Sequence, residues 1–520
     1  MNRAPAAGAE SQDVRVKLLN SFMSCPHRDT DRVKAVHEEV RTQDPVFYGH
    51  LACWYDRTGD LRDHKEVATA MCVSSPFLDN REVGLALFRD MPLFLKRRVV
   101  GFIKGKKVKI RTKTGEKMKV KGKTIDKVRV EEKKVGLDAN VPSCLKTEVK
   151  NYLRWLESDD GRFDEAALRS FHDLKYLYRA GGLQIKPCPR AQQILFEDKV
   201  PEGSKLNVLE AVKKAKTPEE TAKIIVENKL PYTVAVGLVE KVTPTILVAL
   251  IDRMSPQELL NNIAALEEKG VMEMPEVKAI IDKKLQKAKT AKNVSALKTK
   301  TAKATGRIKS EATAKALDDI ADVQVKSKGS IKLSTAILVD RSGSMSAAIE
   351  LGKKLATVVS GATTADLHVV AFDTSAAEIT ANGKALSDWE RAFAGIHAGG
   401  YTSIGSALYL LKRKKVVVEQ IVIVTDEGEN AAPWFTDTYQ EYCEELKVHP
   451  NIVIVRVGTL GSDLSENLKK AKIAFDVYEP EGSDYYGMPG IVQLLSRKSK
   501  LDLVYEIMEE PLRKRTAFRR

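Results

Sequence analysis

The stretch Leu333-Ser334-Thr335-Ala336-Ile337-Leu338-Val339 runs directly into Asp340-Arg341-Ser342-Gly343-Ser344. A short apolar run of this kind reads as a strand buried on both faces. Further runs follow at 367–372, 420–425 and 452–457, with helical patterns near 347–359, 403–412 and 433–446 between them. Strands that alternate with helices predict a doubly wound parallel sheet, in which ligands sit beyond the carboxyl ends of the strands. Those ends carry oxygen donors. The D-x-S-x-S loop supplies Asp340, Ser342 and Ser344; Gly399-Gly400-Tyr401-Thr402 precedes a helix and supplies Thr402; the strand 421–425 ends at Asp426. Three neutral hydroxyls with two carboxylates form the hard donor set that suits Mg²⁺ or Mn²⁺. So few carboxylates leave the ion electrophilic enough to accept an acidic group from a partner.

This arrangement resembles the metal-ion-dependent adhesion site of von Willebrand factor A domains, and all five positions of that site are present. The resemblance implies that Ser342, Ser344 and Thr402 touch the metal, while Asp340 and Asp426 act directly or through water. Arg341 departs from the pattern: a cation here either favours an acidic ligand or points to solvent.

Working outward, the charge is unevenly divided. Residues 331–520 hold 23 Lys+Arg against 25 Asp+Glu, which leaves 62 against 45 for residues 1–330. The whole positive excess therefore lies in the first part, a pattern that points to a polyanion, most often nucleic acid, or to plain solubilising charge. The densest block, 104–134, has fourteen Lys/Arg and four acids. In it Lys107, Lys109, Arg111 and Lys113 alternate with β-formers, Thr114-Gly115 offers a turn, and 117–121 resume the alternation. A period of two puts the cations on one face of a hairpin. Such a comb suits phosphates, and equally a solvated edge strand whose lysines block aggregation.

Outside that block, 14–285 reads as short helices punctuated by Pro and Gly, at 144–157, 164–180, 206–214, 218–228, 232–239, 243–254, 255–269 and 275–285. Thr217-Pro218-Glu219-Glu220 and Ser255-Pro256-Gln257-Glu258 are the clearest starts, each a cap followed by Pro and an acid. Short helices with one apolar face each must bury themselves on neighbours, the logic of an α-solenoid.

Three stretches here, 145–153 (LKTEVKNYL), 169–175 (RSFHDLK) and 230–232 (LPY) leading to 254–262 (MSPQELLNN), resemble the TROVE module of the Ro autoantigen family, bacterial type. The likeness is clear over 142–285 and loose before 140. It implies a ring of HEAT-like helical repeats at 1–285 and, with the site described above, a von Willebrand factor A domain at 331–520; the basic β-type block near 104–134 reads as an insertion added to or altered from the family plan, and the Lys-rich 286–330 as a basic linker. Further, it implies that the chain binds a Y-like small noncoding RNA on its outer surface and the 3′ ends of misfolded RNA. A role in RNA quality control or decay follows, without catalysis of its own, as a monomer, with an exoribonuclease such as polynucleotide phosphorylase as partner.

The residues support an RNA surface beside that likeness. Arg169, His172, Lys175 and Arg179 recur at helical spacings of three and four, and Lys146 and Lys150 make a similar pair on the preceding helix. A solvated helix face has the same signature. Tyr176, Tyr178 and Tyr232 are the available stacking rings, or core. Arg513, Lys514, Arg515, Arg519 and Arg520 read as a frayed segment. The composition, 43% hydrophobic and 30% charged, excludes wholesale disorder. The six cysteines show no metal-ligand spacing, and neither a secretory apolar core nor a membrane-length apolar run is legible, so a cytoplasmic protein with reduced thiols is expected. No nucleophile and base pair in a recognisable motif, so no enzyme is expected. The alternative reading is a metal-dependent protein-interaction scaffold whose A domain grips an acidic partner residue.

Overall fold

A computed structural model describes residues 30–516 apart from 60–61, 121–122, 181–184, 269, 292–293, 295–307, 309, 327–329, 385, 459–460, 479–490, 493–494 and 497–499. The chain forms two compact units, one of His27–Thr243 with Met508–Arg520, the other containing Pro244–Ile507.

The first unit is built from short helices: α1 (Thr30–Gln43), α2 (Pro45–Thr58), α3 (Arg62–Val73), α4 (Leu78–Asp90), α5 (Leu93–Lys104), α6 (Ser143–Glu157), α7 (Asp160–Arg179), α8 (Pro189–Phe196), α9 (Asn207–Lys214), α10 (Pro218–Glu227) and α11 (Tyr232–Leu238). Each packs chiefly on helices one or two places away along the chain, as stacked repeats do. Large buried side chains, among them Phe47, Tyr48, Trp54, Phe88, Phe102 and Phe163, fill the space between them. The caps form as the sequence predicts: Thr217 Oγ1 accepts from the Glu220 amide at 3.1 Å, with Pro218 in the first turn.

Between α5 and α6, β1 (Lys106–Val120) and β2 (Lys123–Val135) form an antiparallel hairpin. Thr114-Gly115 is not its turn. β1 runs on to Val120, which pairs with Lys123, and Thr114-Gly115 falls in a register irregularity between Lys113 and Lys117. A Gly in a long β run marks a bulge as readily as a reversal. The side chains of Lys107, Lys109 and Arg111 lie outside the described residues.

A buried polar cluster ties α1, α2 and α3 together. His37 Nδ1 lies 2.9 Å from Tyr48 Oη, and His37 Nε2 lies 2.9 Å from His64 Nδ1. Burial, with the His64 charge adding to it, holds His37 well below the ordinary imidazole range.

The second unit opens with α12 (Pro244–Arg253), α13 (Pro256–Glu268), α14 (Pro275–Thr290) and α15 (Glu311–Lys326). At the start of α13, Ser255 and Glu258 exchange hydrogen bonds in a capping box. Within 286–330, which reads as a connector, α15 packs on α14 and buries Leu317 and Ile320. The cations of 298–307 and Lys309 lie outside the described residues. A six-stranded sheet follows, of β3 (Thr335–Asp340), β4 (Leu367–Phe372), β5 (Ala376–Ile379), β6 (Gln420–Thr425), β7 (Asn451–Arg456) and β8 (Phe475–Tyr478), in the order β5-β4-β3-β6-β7-β8. All pairs are parallel except β4 with β5. Ile337 and Val339 face one core with α16 (Ser346–Ala362) and α17 (Leu386–Ala392). Ala336 and Leu338 face the other with α18 (Ile404–Arg413), α19 (Phe435–Leu446) and α20 (Asp463–Lys470). α21 (Lys500–Glu509) comes last. Gly352 lets α16 approach β3, since a Cβ there would lie 2.6 Å from the Val339 side chain. Among the described residues no helix is long and apolar enough to cross a membrane.

The His37 cluster sets a pH dependence. A pKa lowered on folding gives stability that is fully present above the unfolded value of about 6.5 and is lost as pH falls from there through the folded value. That loss is already under way at pH 5.5, a unit below the unfolded value. Urea unfolding followed at pH 7.5 and 5.5 is expected to show it in the native chain and to show less in a His37→Gln variant. Equal pH sensitivity in both would contradict the assignment.

Candidate metal centre and nucleic-acid face

The strand order places β3 between β4 and β6, so the chain turns one way after β3 and the other way to reach β6. The carboxyl ends of β3 and β6 therefore flank the crevice of an open sheet. Asp340 ends β3, and Asp426 follows β6 directly.

Asp340 is fully buried. Its Oδ1 accepts from the Ser342 amide at 2.8 Å, which folds the loop back on itself, and its Oδ2 accepts from Thr425 Oγ1 at 2.7 Å, which joins the two strand ends. Burial raises its pKa against the pull of those hydrogen bonds, and the nearby Asp426 carboxylate raises it further. The Gly343 amide donates to Gly400 O at 3.3 Å and the Gly399 amide to Arg341 O at 2.8 Å, so the loop bearing Ser342 and Ser344 is stitched to the one bearing Thr402. Gly400 sits at φ 83°, in the left-handed region that favours glycine. The Thr402 amide donates to Asn430 Oδ1 at 2.8 Å, and Thr402 O accepts from the Asn430 and Ala431 amides, which ties that loop to the one after Asp426.

Arg341 is held by a neighbouring carboxylate. Its guanidinium pairs with Asp373 at 3.0 Å. Behind the loops Glu429, buried, accepts from the Gly405 and Phe435 amides at 3.1 and 2.9 Å and thereby caps α18 and α19. Burial pushes it up to about 7, with the backbone N–H groups pulling the other way. Sequence reasoning missed Asn430 and Glu429, whose signal was only their place just after Asp426.

Hydrogen bonds thus join the loops that carry these five residues, and hydroxyl and carboxylate oxygens are the donor chemistry a hard divalent ion takes. Among the described residues no group of three or more His, Cys, Asp or Glu is gathered to hold a metal, so an ion here depends on Ser342, Ser344 and Thr402.

In the helical unit, Lys146 is half-buried and Lys150 exposed on α6. α7 is kinked at Ser170, whose φ of −150° and ψ of 48° leave the helical region. The kink separates Arg169 from His172, so the single four-residue stripe expected from the spacing is broken. Arg169 pairs instead with Glu165 at 3.0 Å. His172, Lys175 and Arg179 remain together on the second half. Lys175 Nζ lies 5.5 Å from the Phe171 ring centre and 5.4 Å from that of Phe196, and the Arg179 guanidinium lies 4.2 Å from the Phe196 ring. Arg97 of α5 joins the same helix, 3.3 Å from Asp173 and 5.2 Å from the Tyr176 ring. Lys146, Lys150, His172, Lys175 and Arg179 have no carboxylate partner among the described residues. Tyr178 is core and donates to Glu157 Oε1 at 2.9 Å; Tyr176 and Tyr232 are partly exposed. Phe196 and Arg97 were invisible in the sequence because they come from other helices.

No family model matches this chain, and no curated protein does. Among solved structures, the crystal structure of the Deinococcus radiodurans Ro (RSR) protein is similar, with a TM-score of 0.57 at 14% identity, over 89% of this chain and 94% of that one. A likeness of this extent shows that this chain has the fold of that Ro protein; here it is a helix-rich first part followed by a mostly parallel six-stranded sheet.

Proposed function

We propose that the chain is an RNA-binding ribonucleoprotein component of the Ro type, which holds a Y-like small noncoding RNA and the 3′ ends of misfolded RNA. The observation that carries this reading is the second half of α7. There an imidazole, an ammonium and a guanidinium, none paired with a carboxylate among the described residues, stand beside the rings of Phe171 and Phe196. Cations bind the phosphates, and rings or guanidinium planes stack unpaired bases. The net charge of +17 in residues 1–330 supplies the long-range attraction. In this reading the chain is a monomeric cytoplasmic adaptor in RNA quality control. It performs no chemistry and passes RNA to an exoribonuclease such as polynucleotide phosphorylase.

For the second unit we propose a bound Mg²⁺ or Mn²⁺ on Asp340, Ser342, Ser344, Thr402 and Asp426. The exposed ring of Tyr401, next in sequence to Thr402, favours a second reading, in which the metal grips a carboxylate of a protein partner. Binding that follows Mg²⁺ and ignores RNA would select that second reading.

Reversing Lys175 and Arg179 to Glu is expected to weaken binding of a structured RNA and to lower the slope of log affinity against log salt by about 2. Filter binding at several salt concentrations measures this. An unchanged slope in a folded variant rules out this face.

The metal has its own check. Mg²⁺ at a hundredfold its dissociation constant is expected to stabilise the second unit by about 2.7 kcal/mol. Thermal unfolding with and without Mg²⁺ should show the gain in the native chain and none in a Ser344→Ala/Thr402→Ala variant. Absence of any Mg²⁺ effect on the native chain would remove the site.

A further inference from the structure

Residues 510–516, which include the Arg513-Lys514-Arg515 run expected to fray, are held across three helices of the first unit. His50 Nδ1 donates to Glu510 O at 2.7 Å, and Arg57 pairs with the Glu510 carboxylate at 2.6 Å. Leu512 lies against Gly49, where a Cβ would stand 3.4 Å from it. The Arg513 amide donates to Cys53 Sγ at 3.4 Å, and its guanidinium pairs with Asp56 at 2.8 Å and reaches Asp90 at 3.8 Å. Arg515 bonds Glu82 through both its amide, at 2.9 Å, and its guanidinium, at 2.8 Å, and approaches Glu148 at 3.7 Å. Thr516 O accepts from Arg89, which itself forks onto the buried Glu148 at 2.6 and 2.7 Å. Lys514, between the two arginines, is exposed.

These contacts come from α2, α4 and α6, and they read main chain and side chain together. Four carboxylates in a half of the chain that is otherwise strongly basic are gathered where two arginines lie. We propose that α2, α4 and α6 form a docking groove for an extended Arg-x-Arg peptide, and that residues 510–516 fill it as an exchangeable strap. The guanidinium pairs with Asp56 and Glu82 are partly exposed, so each is weak and screened by salt. The segment is held because it is tethered: its effective concentration at the groove is of the order of millimolar, which excludes a free competitor. When the tethered copy lets go, the groove accepts another segment of the same chemistry. This inference assumes nothing about RNA.

A labelled peptide of residues 508–520 tests it in the full chain. Arg513→Glu/Arg515→Glu should empty the groove, raise hydrogen exchange in 508–516, α2 and α4, and bind the peptide at least tenfold more tightly than the native chain. Added Glu82→Arg should abolish that binding, and so should high salt. Arg515→Ala, which removes one side chain only, is read in the same way and serves if the double reversal does not fold. Equal binding to native and reversed chains, or binding to neither, would overturn the proposal.

Discussion

The Asp164–Arg190 ion pair holds the proposed RNA face in place. Asp164 lies on α7 and is buried, and Arg190 on α8 grips both of its oxygens at 3.0 and 2.7 Å. Ser204 Oγ and the Lys205 amide complete the shell at 2.7 and 2.9 Å. Burial alone would raise this carboxyl, but the Arg190, Ser204 and Lys205 hydrogen bonds hold it below the usual range. A buried pair of this kind is costly to break, about 3–5 kcal/mol when one partner is lost, because the other is left charged and dry. Glu157 acts alongside, accepting from Tyr178 and from the Cys188 amide at 2.9 and 2.8 Å. Together they fix where Phe196 stands relative to Lys175 and Arg179, and so whether rings and cations share one face.

The second unit solves a comparable problem by backbone stitching. One hydrogen bond, Thr425 to Asp340, joins the strand ends at the switch point, and backbone amide hydrogen bonds join the loops that carry the hydroxyls and carboxylates. Helical repeats give the first unit an extended surface, while the sheet gives the second a point-like site. The two kinds of partner proposed, a polyanion and a hard cation, follow from that difference in shape and from the division of charge.

Much of this was legible in the sequence because it is local. Helices 218–227 and 256–268 start where Thr-Pro and Ser-Pro say they must, since the cap and the fixed proline φ act within one turn. The strands 367–372 and 420–425 coincide with their apolar runs. Short half-exposed elements, β5 and β8, carried too little apolar signal. The kink at Ser170 was hidden, because Arg169-Ser170-Phe171 contains neither Pro nor Gly and Ser is tolerated in helices. The hairpin turn was misplaced for the opposite reason, a Gly that marks an irregularity instead of a reversal. Docking of 510–516 was beyond reach: its partners Asp56 and Glu82 lie more than 430 positions away in the chain, and cations without local partners look solvated in any one-dimensional reading.

The central claim is that the first unit binds a defined RNA. Ultraviolet crosslinking of the native chain in its own cells, followed by recovery and sequencing of the attached RNA, tests it most directly. The account predicts one abundant structured small RNA, crosslinked within α6 to α8. A diffuse sampling of the transcriptome, with no enriched species and no crosslinks in those helices, would contradict it.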